Sequence, residues 1–297
     1  MSNLLVELSN AMAEATEKAA VSTVMVSARR RIPASGIAFR EDLVLTADHV
    51  IENEENITVQ LPGGVETTAK LAGRDPGSDL AVLRLEKERM TPAQAAGQAR
   101  IGQLVLALGR PSPEGIEASL GVVSALGGAI RTPGGSIDKY IRTDTTPFPG
   151  FSGGPLVDPE GNVLGLNTSG FGRGMALTIP VEYAWKVADD LARNGSVKRG
   201  YLGVRSEAVE LPAEAQKALK RNQATGLLLV SVEHGSPAEA GKLIVGDILV
   251  GVNGQPVPDH DTLFAYLAGA VVGKSIPMEA LRGGQPQTFQ VEIGARP

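Results

Sequence analysis

The sequence predicts a mainly β protein in two parts. An all-β region of roughly 180 residues follows an N-terminal helix, and a smaller β-rich domain with two short helices comes after it. Three observations carry this. Glycine (36) and proline (19) are frequent and cut the chain into short segments. Apolar and β-branched runs recur between those turns, each about the length of one strand. The pattern pauses at Gly195–Gly200, a linker containing Ser196, Lys198 and Arg199, and then restarts. A chain of 297 residues suits about two domains, expected over 1–198 and 199–297. Aromatic residues make up 4%, so the core must be aliphatic.

Residues 3–20 form the expected helix, with Leu4, Leu8, Met12, Ala15 and Ala19 on one side. Strands follow over Val21–Ser27, Ser35–Phe39 and Leu43–Thr46, with the basic run Arg29-Arg30-Arg31 as a solvated loop between the first two. Further strands are expected over Ile57–Leu61, Thr67–Gly73, Leu80–Leu85, Gly102–Gly109, Gly121–Leu126 and Tyr140–Thr143. After the turn Thr145–Gly154, short strands cover Pro155–Val157, Val163–Asn167 and Met175–Ile179. Pro180 opens a helix to about Arg193, and Gly195 stops it.

The second part begins with a strand over Tyr201–Arg205, a helix over Pro212–Arg221 and a strand over Gly226–Val232. A turn at His234–Pro237 leads to a strand over Asp247–Val252, closed by Asn253-Gly254. A helix over Asp259–Ala268 and strands over Ser275–Arg282 and Thr288–Ile293 complete it. Residues 199–297 are enough for a small domain with its own core.

Composition narrows the function classes. The net charge of −5 argues against a nucleic-acid partner, whose binding proteins carry basic surfaces. With no cysteine there are no disulfides and no thiolate metal sites, and no cofactor or metal is expected. No apolar run is long enough for a transmembrane span. Glu7, Glu14, Glu17 and Lys18 interrupt the N-terminal apolar residues, and no basic segment precedes them, so no signal peptide is expected. The compartment is the cytoplasm for a complete chain, and periplasmic or otherwise extracytoplasmic for a mature form that has lost its signal. No phosphate-binding G-x-x-x-x-G-K-[ST] loop occurs, which fits chemistry independent of ATP.

Chemistry concentrates in Thr145–Leu156, which holds Ser152 in a glycine-rich turn before an apolar strand. Such a turn exposes a hydroxyl and lets backbone N–H groups converge, giving a nucleophile and an oxyanion site. A base and an orienting acid must come from elsewhere. His49, one of three histidines with His234 and His260, stands at the end of an apolar strand, a rigid support for a reacting group. Asp79 lies at the mouth of Leu80–Leu85, where a carboxylate drawn under the surface must find a donor such as an imidazole N–H. Alone, each residue has a plain structural reading; together they keep one order, His–Asp–Ser, along one all-β pattern.

The segments T-A-D-H-V (46–50), S-D-L-A-V-L (78–83) and G-F-S-G-G-P-L (150–156) resemble the active-site blocks of chymotrypsin-fold serine proteases, specifically the bacterial HtrA/Deg branch. R-G-Y-L-G-V (199–204) and the stretch from Gly226 to Gly254 resemble the PDZ domain that follows the protease in that family. The resemblance implies a double β-barrel protease domain followed by one PDZ domain. It also implies Ser152 as nucleophile, His49 as base and acid, Asp79 as the group orienting the imidazole, and an oxyanion site at Gly150, Phe151 and Ser152. The sequence departs from the family where Phe151 replaces the usual Asn and where Pro147-Phe148-Pro149 precedes it. Two prolines stiffen that loop, making it the place to look for an inactive resting arrangement.

Thr146 stands six residues before Ser152, where trypsin-like relatives carry an acidic pocket base. Cleavage after Lys or Arg is therefore not expected. Walls from Thr146, Pro147, Leu164, Gly165, Leu166 and Asn167 suit a small or medium apolar side chain. In the PDZ part, Tyr201-Leu202-Gly203-Val204 resembles the carboxylate-binding loop, in which the N–H groups of Leu202, Gly203 and Val204 would take a C-terminal carboxylate, with the peptide adding as a strand. Leu263 and Leu267 would line its side-chain pocket or pack the core, and His260 is expected on the surface. The partners implied are unfolded or misfolded proteins and C-terminal peptides; the alternative is a chaperone-like or scaffolding protein with a resting-inactive site. Family trimers use N-terminal aromatics, and none precedes Phe39 here, so a homo-oligomer by that route lacks its usual residues. Gly127–Ser136 and Thr168–Gly174 are the candidate mobile activation loops because they are glycine-rich.

Overall fold

A computed structural model describes residues 3–132, 135–137, 139–171, 177–196, 200–267 and 271–295. The chain divides into two units, Met1–Val197 and Lys198–Pro297.

The first unit opens with helix α1 (Leu4–Ala20), capped by the Asn3 side chain, which accepts from the Leu5 N–H. Its apolar stripe is used only in part. Met12, Ala15 and Ala19 are buried, whereas Leu4 and Leu8 are exposed. Strands β1 (Thr23–Ser27), β2 (Ala34–Arg40), β3 (Leu43–Ala47), β4 (Ile57–Gln60), β5 (Glu66–Asp75) and β6 (Leu80–Leu85) close into a barrel in the order β1-β2-β3-β6-β5-β4. Ile37, Leu45, Ile57, Leu80 and Leu83 fill it, all aliphatic.

Strands β7 (Leu104–Ser112) and β8 (Gly115–Gly127) begin the second barrel. The stretch expected to be a mobile loop instead carries a hairpin, β9 (Ile130–Thr132) with β10 (Gly135–Ile137); residues 133–134 lie outside the described residues. Strands β11 (Tyr140–Thr143), β12 (Pro155–Val157), β13 (Val163–Thr168) and β14 (Leu177–Pro180) complete a closed barrel in the order β11-β14-β13-β12-β7-β8. The end of the loop Thr168–Gly174 and the start of the strand expected over Met175–Ile179 lie outside the described residues, which resume at Leu177. Helix α2 (Val181–Asn194) buries Ala184, Val187, Ala188 and Leu191 and ends at Gly195, whose φ of 75° needs no Cβ to avoid.

The second unit pairs β15 (Gly200–Tyr201) with a strand near its C-terminal end. The strand expected over Tyr201–Arg205 is thus two strands, broken at Leu202-Gly203, and the second, β16 (Val204–Glu210), runs longer. Helix α3 (Ala213–Leu219), β17 (Thr225–Val232), helix α4 (Pro237–Ala240), β18 (Ile248–Val252) and β19 (Gln255–Pro256) follow. The sequence shows only a turn where α4 forms, capped by Ser236 accepting from the Glu239 N–H. Helix α5 (His260–Tyr266) leads to β20 (Ser275–Arg282), β21 (Gln285–Glu292) and β22 (Gly294–Ala295). Residue 268, the expected end of α5, and residues 197–199 of the linker lie outside the described residues. The sheet runs β16-β17-β18-β20-β21, with β19 beside β18. Its core gathers Leu227, Leu229, Leu249, Met278, Val291 and Ile293.

Candidate active site

Asp79 and His49 stand on the first barrel. Asp79 directly precedes β6, in the left-handed region at φ 54°, a conformation aspartate tolerates better than most residues. Its side chain is 6% exposed. One carboxylate oxygen accepts the His49 backbone N–H at 2.9 Å, and the two oxygens lie 2.9 and 3.0 Å from His49 Nδ1. Main chain and ring together fix the imidazole and aim Nε2 away from the carboxylate. The Asp79 carbonyl also accepts the Asp48 N–H at 3.0 Å, tying β6 to the short 3₁₀ turn Asp48–Val50 that carries His49. Buried Asp48 accepts from Arg74 Nε at 2.6 Å, and Arg74 also reaches Glu54 at 2.8 Å. The hydrogen bond to Asp48 is the largest cause raising the Arg74 pKa above its ordinary value.

Ser152 comes from the second barrel, on the turn before β12. Two glycines shape that turn. Gly150 has φ 88°, and a Cβ there would lie 2.7 Å from the Pro33 carbonyl oxygen and 2.5 Å from Pro111. Gly153 also has φ 88°, and its Cβ would meet the Ser35 carbonyl oxygen at 2.1 Å. Only glycine fits either position. Ser35 on β2 staples the turn to the first barrel: its hydroxyl donates to the Gly150 carbonyl at 2.7 Å, and its N–H donates to the Ser152 carbonyl at 3.1 Å. Arg110 on β7 adds a second tie, donating from Nε to the Thr23 carbonyl at 2.9 Å, and burial lowers its pKa.

The N–H groups of Gly150 and Ser152 have no hydrogen-bond acceptor among the described residues. Phe151, expected near the oxyanion site, does not offer its own N–H to it. Its N–H donates to the Phe148 carbonyl at 3.1 Å, and its ring, 2% exposed, packs with Val105, Leu156 and Leu164. The ring also stacks edge-on against Phe148, centroids 5.4 Å apart. The unusual residue before the serine is therefore an apolar anchor holding the turn in the second barrel.

The three candidates are not joined in line. Ser152 Oγ makes its 3.1 Å contact with Ser169 Oγ, and Ser169 Oγ lies 3.5 Å from His49 Nε2. Neighbouring Thr168 donates its hydroxyl to the Asp79 carboxylate, carrying a bond from the second barrel to the first. Ser169 and Thr168, expected only as part of a glycine-rich loop, and Ser35 are not among the expected catalytic residues. They are common hydroxyl residues with no local pattern, and only the meeting of β2, β13 and the serine turn gives them a role.

His49 and Ser152 open onto one cleft of about 350 Å³. Pro147 and Asn167 line it as expected, with Ala107 and Thr145 beside them. The other expected walls do not. Leu164 and Leu166 are buried in the barrel cores, Gly165 packs against the Ile179 carbonyl, and Thr146 is exposed outside the cleft with its N–H bonded to Ser119 Oγ. β13 is buried on both faces, so its apolar residues serve the cores instead of the cleft. Phe148, Pro149 and Phe151 contribute apolar lining instead.

In the second unit, Leu202 and Gly203 occupy the break between β15 and β16. Their carbonyls accept the Ala238 and Glu233 N–H groups at 2.9 and 2.8 Å. Their own N–H groups have no acceptor among the described residues. Gly203 at φ 74° turns the chain there, and the Tyr201 hydroxyl donates to Glu233. Val204 starts β16, opposite Val232. Leu263 and Leu267 are buried in the core at 3% and 5% exposure, which agrees with the core-packing one of their two readings. His260 is half-exposed at the start of α5, with Nε2 3.0 Å from both the hydroxyl and the carbonyl of Ser206 on β16. Exposed Phe264 sits beside it on α5.

Two closed six-stranded barrels, with His49 and Asp79 on one and the serine turn on the other, form a chymotrypsin-like fold. A smaller β-rich domain follows it. Comparison with known proteins agrees: residues 34–166 match the trypsin-like peptidase domain model, and residues 200–293 match the PDZ domain model. A probable periplasmic serine endoprotease, DegP-like, from Rhizobium meliloti is 34% identical over 278 residues, 91% of this chain and 54% of that protein. The chain thus spans about half the length of the curated relatives it matches. The crystal structure of the serine endoprotease from Yersinia pestis is 30% identical with a TM-score of 0.80, covering 96% of this chain and 98% of that one. The HtrA-type protease AlgW with tripeptide is 32% identical with a TM-score of 0.77, covering 96% and 97%. The chain belongs to the HtrA-type serine protease family.

Proposed function

We propose that this chain is an ATP-independent serine endopeptidase acting on unfolded or damaged proteins, with a PDZ domain that binds the C-terminal ends of polypeptides. The observation that carries the reading is the His49 ring held by a buried carboxylate at 2.9 Å in the cleft that also contains Ser152. Ser152 Oγ attacks the scissile carbonyl while His49 Nε2 takes its proton. Asp79 holds the tautomer and stabilises the imidazolium, and His49 then returns the proton to the leaving amine. The unbonded N–H groups of Gly150 and Ser152 are the donors for the developing oxyanion. In this arrangement Ser152 must turn from Ser169 toward His49 before attack, so substrate binding completes the site.

The cleft walls of Pro147, Phe148, Ala107 and Thr145 suit an uncharged side chain before the scissile bond. The free N–H groups of Leu202 and Gly203 supply the carboxylate-binding loop of the PDZ domain, and the edge of β16 supplies the strand to which a peptide adds. The names of the relatives support a periplasmic or other extracytoplasmic setting. Among the described residues, no helix is long and apolar enough to cross a membrane.

One observation favours a second reading, a binding protein with a resting-inactive site: Ser152 is bonded to Ser169 and not to His49. Casein cleavage and labelling by a serine-reactive phosphonate separate the two. Both are expected in the wild-type chain and both are lost in Ser152→Ala. A folded wild-type chain that neither cleaves nor labels overturns the protease reading.

A further inference from the structure

The basic run Arg29-Arg30-Arg31 has no part in the chemistry described so far. In the structure it forms the short connection between β1 and β2, and Arg29, Arg31 and Ile32 line the same cleft as His49 and Ser152. Arg29 is held in place, because its Nε donates to the Ile32 carbonyl at 2.7 Å. This connection runs close to the serine turn: the Pro33 carbonyl oxygen would lie 2.7 Å from a Cβ at Gly150. The guanidiniums are not neutralised. Neither Arg29 nor Arg31 makes an ion pair among the described residues. Glu52 acts on Arg29 only at a distance, against the repulsion of Arg31, while burial lowers the Arg29 pKa most. None of the residues lining the cleft is acidic.

A chain with a net charge of −5 therefore presents a cationic rim at its reaction centre. A guanidinium that is partly desolvated and has no ion-pair partner gains most from a carboxylate that completes its hydrogen bonds. We propose that Arg29 and Arg31 are specificity-determining residues that favour polypeptide substrates with an aspartate or glutamate close to the scissile bond. The inference rests on the protease reading and names a substrate class for it. It assigns to the basic loop a role in selection, separate from the apolar walls at Pro147 and Phe148.

The test is positional. The full chain is given a library of unstructured peptides, and residues flanking every cut are counted. Aspartate and glutamate are expected to be enriched at one subsite. In a matched peptide pair, replacing that acid by its amide is expected to lower kcat/KM by roughly threefold to tenfold, and less at high salt. Arg31→Gln should shrink the acid-to-amide ratio and Arg31→Glu should invert it toward lysine. Arg31 is exposed, so these variants test charge with the fold intact. Arg29→Gln, which also loses the bond to Ile32, is compared with them. An active wild-type chain with an acid-to-amide ratio near one, or a ratio that survives Arg31→Glu and Arg29→Gln alike, overturns the inference and leaves the protease reading standing. A chain that neither cuts any peptide nor takes the phosphonate at Ser152 overturns both.

Discussion

In the first barrel, the base and its orienting acid are joined by side chain and main chain. Asp79 accepts from both the backbone N–H and the ring of His49, and both residues belong to segments bonded across β3 and β6. In the second barrel, the serine stands on a turn between strands, and its hydroxyl meets Ser169 at 3.1 Å with no direct bond to His49. The acid and base are joined within one barrel, with Thr168 of the other adding a bond to Asp79; the nucleophile's position depends on how the barrels meet. The junction is specific: Thr168 on Asp79, Ser35 on the serine turn, and Arg110 on the Thr23 carbonyl. Orientation of the base is thus built into a rigid sheet, whereas alignment of the nucleophile is left to contacts that a substrate can rearrange.

The most severe way to break the first half is Asp79→Asn. The amide keeps the shape but holds the imidazole in the wrong tautomer, and kcat on a peptide substrate is expected to fall about 10⁴-fold. A fall below about tenfold would mean that His49 is held by its surroundings and not by the carboxylate. The junction is next. Arg110→Ala removes the Nε bond to Thr23 and the stem packed between the barrels, and urea denaturation should show a loss of about 1–3 kcal/mol. An unchanged unfolding midpoint would show that the serine turn and Ser35 suffice to hold the barrels together.

The smallest effect sharpens the second half. Ser169→Ala removes a bond that stabilises Ser152 away from His49, so phosphonate labelling of Ser152 should speed up by roughly threefold. Slower labelling in Ser169→Ala would instead place the Ser169 hydroxyl in the proton path between Ser152 and His49.

Much of the fold could be read along the chain, because strand-length apolar runs broken by glycine and proline make a local signal. β3, β6, β11, β12 and β20 lie where that pattern places them. The misses share a cause. α4 is four residues long and depends on a Ser236 cap, and the break at Leu202-Gly203 depends on a glycine at φ 74° between two pairings that are distant in sequence. Leu164 and Leu166, expected as pocket walls, fill the barrel cores instead. A strand buried on both faces gives no alternation from which to separate cleft from core. Leu263 and Leu267 face the same ambiguity on a helix, where one apolar stripe serves either a groove or the core.

By itself the sequence determined which groups are available for chemistry: one serine in a glycine turn, one histidine at a strand end, one aspartate before an apolar strand, and no cysteine. It determined the order of these groups and the apolar periods that build the barrels, since both are properties of neighbouring residues. Only the tertiary structure decided that Phe151 is an anchor and not an oxyanion donor, that Ser169 stands between nucleophile and base, and that the basic loop borders the cleft. Those outcomes follow from residues far apart in sequence coming together, Arg29 and Ser152 around one cleft and Ser152 and Ser169 in a hydrogen bond, which the closing of two barrels sets and no local propensity does.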